Sequence, residues 1–137
     1  MNAQLFAYKK NQINTASSED LVLMLYDGAI KFIKKAVLAV NNQNYEEANE
    51  NFKRAQKIVA GLVSGLNYDA GEIAQNLYSL YEYMHHQLVR ANMKKDVQAA
   101  EEVLTMIEEL RTVWVQAVKS PNEKSKENFT EKKTALG

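Results

Sequence analysis

The apolar positions of the chain fall into four stretches that repeat with the 3.6-residue period of an amphipathic α-helix. The pattern predicts helices over about residues 17–40, 45–65, 72–92 and 97–118. Ser17, Asn44 and Asp96 stand where helix N-caps are expected, and "GLNYDAG" (residues 65–71) closes the second helix. Because the connections are short, the four helices should pack side by side as an all-α, antiparallel up-down four-helix bundle.

The segments on either side of these helices differ from each other in composition. Residues 1–15 mix polar residues with Leu5, Phe6, Tyr8 and Ile13, which predicts an N-terminal arm that docks on the bundle. The bundle is assigned to residues 16–119. Residues 120–137 are polar and low in apolar content, which predicts a disordered C-terminal tail.

The first helix is apolar on all sides over "LVLMLY", residues 21–26. A helix with one buried face needs only an apolar stripe, so this collar predicts a second, removable cover. The residues predicted to form the core face are Val22, Leu25, Ala29, Phe32, Ile33, Ala36 and Val40. The residues predicted to lie partly or wholly off it are Leu21, Leu23, Met24, Tyr26, Ile30 and Val37.

Composition excludes several classes of protein. The 137 residues contain 17 Lys+Arg and 17 Asp+Glu, so there is no basic excess of the kind typical of nucleic-acid binding. There is no cysteine, which excludes a disulfide scaffold and thiol catalysis. No apolar run is long enough for a signal peptide or a membrane span, so a soluble, cytoplasmic protein is expected. One proline and five glycines are too few for the many turns of an all-β fold.

The titratable residues give little support for catalysis. Most acidic residues stand at helix starts or on polar faces, so no catalytic residue, metal or cofactor is expected, and the chain is predicted not to be an enzyme. His85 and His86 are adjacent and diverge by about 100° on a helix, unlike an i, i+4 metal pair. Two alternatives stay open: a phosphotransfer module using His85 or His86, and a self-associating structural bundle.

Two residue types indicate where another chain could approach. Gly28, beside Asp27, is explained equally well by close helix packing and by the close approach of a partner. Tyrosine has an apolar ring and a polar hydroxyl and is enriched at interfaces. Tyr45 and Tyr68 are interpreted as residues at the edge of the core. A binding surface is favoured for Tyr26, Tyr78 and Tyr81.

The sequence of the first helix carries a resemblance to a known family. "TASSEDLVLMLYDGAIKFI" (residues 15–33) closely resembles the first-helix motif of the flagellin export chaperones, the FliS family. Residues 48–92 and Trp114 agree with the later part of the family pattern, so the resemblance covers roughly residues 5–118. Ser18 stands where the family commonly has proline, and both residues are tolerated at a first helical position.

The resemblance implies a cytoplasmic four-helix bundle that is not an enzyme and needs no cofactor. Family members bind the disordered C-terminal segment of flagellin, prevent its premature polymerisation and aid its delivery to the export gate of the flagellar type III secretion apparatus. No nucleic acid and no stable membrane insertion are expected, and the chain should be a monomer or a weak homodimer. We expect the N-terminal arm to cover part of the collar until flagellin replaces it.

The residues expected to bind flagellin come from the arm and from three helices. The match to the family motif supports Tyr8, Tyr26 and Asp27 best. The others rest on their helical faces. The full set is Tyr8, Leu23, Tyr26, Asp27, Ile30, Leu62, Leu66, Tyr78 and Tyr81.

Overall fold

The computed structural model describes residues 18–119, which form four α-helices and one 3₁₀ turn. The predicted helix bounds are confirmed closely, whereas the arm (residues 1–15), the Ser17 cap and the tail (residues 120–137) lie outside the described residues. The helices are α1 (Ser18–Asn41), α2 (Tyr45–Ser64), α3 (Glu72–Lys94) and α4 (Val97–Lys119), and the 3₁₀ turn is Tyr68–Ala70.

Local chemistry sets where the helices begin and end. The predicted caps at Asn44 and Asp96 are confirmed, since their side-chain oxygens accept backbone N–H bonds from Glu47 at 3.3 Å and Ala99 at 3.2 Å. Gly71 precedes α3 with a φ of 71°, a conformation that glycine adopts at little cost. Lys95 ends α3 in the left-handed conformation, and α4 begins two residues later.

The helices form a closed, antiparallel ring. α1 packs against α2 and α4, and α3 packs against the same two helices, with α3–α4 the smallest of these interfaces. Trp114 Nε1 donates to the Glu19 carbonyl at 2.9 Å, so the end of α4 lies beside the start of α1. Asn92 Nδ2 donates to Asn49 Oδ1 at 2.7 Å, which places the end of α3 beside the start of α2. These contacts confirm the predicted up-down four-helix bundle.

The core is unevenly distributed along the bundle. Most fully buried side chains lie within residues 29–59 and 81–107, which we call the packed end. The remainder of the described chain, residues 18–28, 60–80 and 108–119, forms the open end, where the buried hydrophobic residues are Tyr26, Leu62 and Ala74. The core of the packed end comprises Ala29, Ile33, Ala36, Ala39, Ala48, Phe52, Ala55, Val59, Tyr81, Met84, Leu88, Ala91, Ala99, Ala100, Val103 and Ile107.

The predicted core face of the first helix is confirmed at Ala29, Ile33 and Ala36, but the edges of the face are wrong. Tyr26 was expected to lie off this face, but it is only 1% exposed and lies in line with Ala29, Ile33 and Ala36, which are all buried. Four predicted core residues are instead half-buried on the shoulders of the helix: Val22, Leu25, Phe32 and Val40. The collar misled the prediction, because an apolar residue at every position leaves the helical phase undetermined.

Neighbouring helices account for much of the apolar collar on α1. A Cβ on Gly28 would lie 3.0 Å from Ile58 Cδ1, so this flank faces α2, which supports close helix packing as the role of this glycine. The opposite flank faces α4, since Asp27 pairs with Arg111. Within the collar, Met24 is the exposed residue, and Leu21 and Leu23 are half-buried.

The prediction for Tyr45 is also wrong. The sequence places it at the edge of the core, yet it is 51% exposed. As the first residue of α2, it stands almost a full turn before Ala48, where burial of this helix begins. Tyr68, expected at the edge of the core, is exposed in the 3₁₀ turn.

Candidate functional site at the open end of the bundle

The open end leaves apolar side chains from all four helices only partly covered. Contiguous apolar surface on a soluble protein commonly marks a site of interaction, so the open end is the candidate binding region. Its half-buried apolar side chains include Leu21, Val22, Leu23, Leu25, Val63, Leu66, Ile73, Leu77, Leu80, Leu110, Val113, Trp114 and Val115.

A groove of about 570 Å³ lies between α3 and α4. Its lining residues recur at intervals of three and four on both helices, so each helix contributes one continuous face. The α3 face consists of Ile73, Asn76, Leu77, Ser79, Leu80 and Tyr83, and the α4 face of Met106, Glu109, Leu110 and Val113. A mainly apolar groove with a few polar groups has the composition of a binding site.

Hydrogen bonds between α3 and α4 close this groove towards the packed end. The Tyr83 hydroxyl donates to Glu102, and Gln87 Nε2 approaches the other oxygen of the same carboxylate at 3.5 Å. The hydrogen bond to the carboxylate raises the pKa of Tyr83. The two helices are therefore tied together at one end of the groove.

Asn76 is the unusual polar residue of the groove. Among the described residues, its amide nitrogen is the buried side-chain polar atom without a hydrogen-bond partner. Buried donors are nearly always paired in folded proteins, because leaving one unpaired costs about 1–3 kcal/mol.

Tyr26 and Tyr81 meet across the interior of the bundle. Their hydroxyl oxygens lie 2.7 Å apart, and the two residues are 1% and 3% exposed. Burial raises the pKa of both phenols, so the pair stays neutral. The expectation that these two tyrosines lie on an open binding surface is therefore wrong for this structure, since they pack against each other inside it.

Asp27 forms a contact within the chain. Its carboxylate accepts a hydrogen bond from the Arg111 guanidinium, and this interaction raises the pKa of Arg111. Both side chains remain substantially exposed, so the pair stays accessible to a partner. Leu23 and Ile30, one turn to either side of Asp27, lie half-buried on the same flank of α1.

The remaining predicted residues lie elsewhere. Leu62 is buried and Leu66 is half-buried at the end of α2. Tyr78 is 41% exposed. It lies four turns before Asn92, which contacts α2, so Tyr78 is on the α2 side of α3. Tyr8 lies outside the described residues. The predicted set thus divides between the α1–α4 flank, the core and the α2–α3 side rather than forming one patch.

Sequence reasoning missed the α3–α4 groove as a site. Ile73, Leu77, Leu80 and Leu110 belong to the apolar periods of the third and fourth helices, and these periods do not indicate a groove between the two helices. The available signal was Asn76, a single amide among apolar residues on that face. Periodicity alone cannot reveal a groove, because it does not give the distance between two helices.

The helices of the bundle lie within residues 18–119. No helix in this range is both long enough and apolar enough to span a membrane. The same range contains no group of three or more side chains that could together hold a metal ion.

The described residues thus form an antiparallel four-helix bundle with a partly covered apolar end. The family profile described as "Flagellar protein FliS" matches residues 1–121. Residues that match this profile make up most of the chain, and the protein therefore belongs to the FliS family of flagellar secretion chaperones.

Characterised relatives agree with this assignment. The chain is 40% identical over 114 residues to the flagellar secretion chaperone FliS of Bacillus subtilis (strain 168), covering 83% of this chain and 85% of the relative. It is 36% identical to that of Vibrio cholerae El Tor Inaba N16961, covering 85% and 89%. It is 31% identical to that of Escherichia coli K12, covering 82% and 85%.

Proposed function

We propose that this protein binds the disordered C-terminal segment of flagellin in the cytoplasm, prevents its premature polymerisation and aids its delivery to the flagellar export gate. The observation that carries the proposal is membership of the FliS family, whose relatives are named flagellar secretion chaperones. The half-covered apolar end supports it physically, because such a surface is suited to a partner that brings its own apolar face.

The proposed mechanism is folding coupled to binding. A disordered segment can wrap around several sides of a bundle and become helical where its apolar residues meet the exposed ones. Ordering the segment consumes part of the binding free energy, which keeps the complex reversible although it buries a large area. Reversibility is needed if the client is to be released at the export gate. No catalytic step is involved.

The proposed flagellin-binding residues divide by accessibility. Leu23, Asp27, Ile30, Leu66 and Tyr78 are at least partly exposed and can contact the client directly. The buried members of the set are assigned a supporting role beneath that surface: Leu62, Tyr26 and Tyr81. Tyr8 remains a prediction for the N-terminal arm.

The decisive experiment titrates the full chain with a peptide of the last ~50 residues of flagellin from the same organism, a length suited to a segment that folds on binding. Calorimetry measures stoichiometry and affinity, and circular dichroism measures helicity. We expect a one-to-one complex with more helix than the sum of its parts. A peptide of equal length from the middle of the flagellin sequence serves as the control.

Absence of binding would contradict the proposal, provided that the peptide binds another FliS-family chaperone. Sedimentation over a range of concentrations would then test self-association through the open end. Incubation with a small phosphodonor would test phosphorylation of His85 or His86.

A further inference from the structure

We infer that the outer face of α1 and α2 binds a short acidic segment of a partner protein through a band of exposed cationic side chains. This basic band consists of Lys31, Lys35, Lys53, Arg54 and Lys57, all of which are exposed. It lies within the packed end, whereas the client is assigned to the open end. The inference therefore goes beyond the proposed function, because it concerns a second partner on a different surface.

Contacts between α1 and α2 bring the cations of the two helices together. Lys31 Nζ and Arg54 Cζ lie 5.5 Å and 5.6 Å from the ring centroid of Phe32, which is half-buried. Lys35 and Arg54 line one cavity at the interface of the two helices. Side chains that are distant in sequence thus form one continuous basic surface across both helices.

The positive charge of the basic band is not neutralised within the described part of the chain. The ion pairs found there are formed by other residues, so none of the five cations of the band has a carboxylate partner. Residues 28–45 and 51–68 contain no aspartate or glutamate. The band holds one lysine pair with i, i+4 spacing on each helix, and like charges at this spacing repel each other. An acidic partner would relieve this repulsion.

Charge is segregated across the bundle although the whole chain is neutral. The chain has 17 Lys+Arg and 17 Asp+Glu, yet residues 97–110 of α4 contain four glutamates and no lysine or arginine. The α1–α2 and α3–α4 interfaces are on opposite sides of the ring of helices. Glu102 contacts Tyr83 of α3 and so belongs to the acidic side. This separation of charge steers an acidic segment towards the basic band.

The surroundings of the basic band favour a short protein segment over an extended polyanion. The cavity that holds Lys35 and Arg54 is also lined by Glu46, Glu47 and Glu50, which bound the band towards the start of α2. A nucleic-acid strand or an anionic membrane surface would extend over these carboxylates and be repelled. A short segment can end before them. Its carboxylates should be about 6 Å apart, the axial spacing of lysines four residues apart in a helix.

The test measures binding of a fluorescent peptide of about ten residues, mostly glutamate, which is long enough to span the band. Fluorescence anisotropy gives the affinity for the full chain at low and at high salt. The variant is Lys31→Glu with Arg54→Glu. The matched control is Lys94→Glu with Arg90→Glu, which also replaces one exposed lysine and one exposed arginine but on α3.

We expect saturable binding by the wild-type chain at low salt and a weaker affinity at high salt. The Lys31/Arg54 variant should bind at least tenfold more weakly, because two charge-assisted contacts become repulsive. The control should change the affinity by less than about threefold. Equal losses in the two variants would overturn the inference, since only net charge would then matter. No binding by the wild-type chain would also overturn it, while the flagellin titration would still test the proposed function.

A second variant keeps the test decisive if changes at the Phe32 ring disturb the fold. Lys35→Glu with Lys57→Glu alters two lysines that do not stack on this ring, and circular dichroism checks its helicity. We expect the same loss of at least tenfold in affinity for the acidic peptide. Unchanged affinity would contradict a continuous band.

Two further probes distinguish the class of anionic partner. The wild-type chain is titrated with an oligothymidine strand and with vesicles of phosphatidylserine and phosphatidylcholine in equal amounts. We expect weaker binding to both than to the acidic peptide, because Glu46, Glu47 and Glu50 adjoin the band. Tighter binding to either probe would overturn the assignment of the band to an acidic protein segment.

Discussion

The packed end and the open end are built from the same four helices, yet their side chains differ in size. Half of the buried core of the packed end is alanine, including Ala36 and Ala48. Small side chains let neighbouring helices approach closely. In the open end, by contrast, most of the leucines, Ile73 and Trp114 are only half-buried. The difference teaches that one bundle can combine a fully buried core with a partly covered apolar surface by grading burial along its axis.

The grading also separates stability from binding. Fully buried side chains supply most of the free energy of folding, because each removes apolar area from water. The half-buried residues of the open end contribute less to folding and retain area that a partner can still cover. The comparison therefore predicts that mutations at the two ends have different consequences.

The largest effect is expected from a pair of matched truncations on α3. Leu88→Ala, in the packed end, should lower the free energy of unfolding by about 2–5 kcal/mol, since it leaves a cavity. Leu80→Ala, in the open end, should lower it by about 1 kcal/mol, because this side chain is half-exposed. Urea denaturation measures both values. Equal losses would remove the distinction between the two ends.

The Tyr26–Tyr81 pair joins the two ends and should show strong coupling. Tyr26→Phe or Tyr81→Phe alone leaves the other hydroxyl buried without its partner, at a cost of about 1–3 kcal/mol. The double variant should cost less than the sum of the two, because no hydroxyl remains unpaired. A double-mutant cycle by chemical denaturation measures this coupling. Additive losses would show that the hydrogen bond contributes nothing specific.

The same pair predicts a loss of stability at alkaline pH. Burial raises the pKa of both phenols in the folded protein, whereas an unfolded tyrosine titrates near about 10. The folded state thus holds more protons above that pH, so its stability falls as the pH rises. Unfolding curves between neutral pH and pH ~11 should show a steeper fall for the wild-type chain than for the double phenylalanine variant. An equal fall in stability for the wild-type chain and the double variant would show that this tyrosine pair does not cause the alkaline loss.

The smallest effect on stability is expected at the exposed Asp27–Arg111 pair. Asp27→Asn should change the free energy of unfolding by less than about 1 kcal/mol, because solvent and salt screen this interaction. Lys34→Gln, which removes the longer Lys34–Glu108 contact of 4.0 Å, is the control. Thermal unfolding at low and high salt measures both. A loss well above that value would place Asp27 in the structural framework of the bundle rather than at its binding surface.

Much of the fold could be predicted because its signals are local. Asn44 and Asp96 cap helices with their own side chains, so their roles are visible within a few residues of sequence. The scarcity of glycine and proline and the four apolar periods indicate long helices with short connections. The family motif at residues 15–33 is equally a property of consecutive residues.

The site could be predicted only in part. The sequence favours a binding surface for Tyr26 and leaves two explanations open for Gly28. Periodicity cannot decide which flank of an all-apolar helix turns inwards. A shift of one residue rotates a helix by about 100°, enough to move Tyr26 from a binding surface to the core. Tyr78 and Leu66 lie near the surface as expected, while the groove beside Asn76 was not foreseen.

The sequence by itself determined the four helices, their capped ends and the family to which the chain belongs. Only the tertiary structure decided that Tyr26 meets Tyr81, that Asp27 meets Arg111, and that a groove opens beside Asn76. The reason is physical: caps and helical periods arise from interactions a few residues apart. Contacts between residues 55 or 84 positions apart depend on how side-chain volumes set the rotation and separation of whole helices.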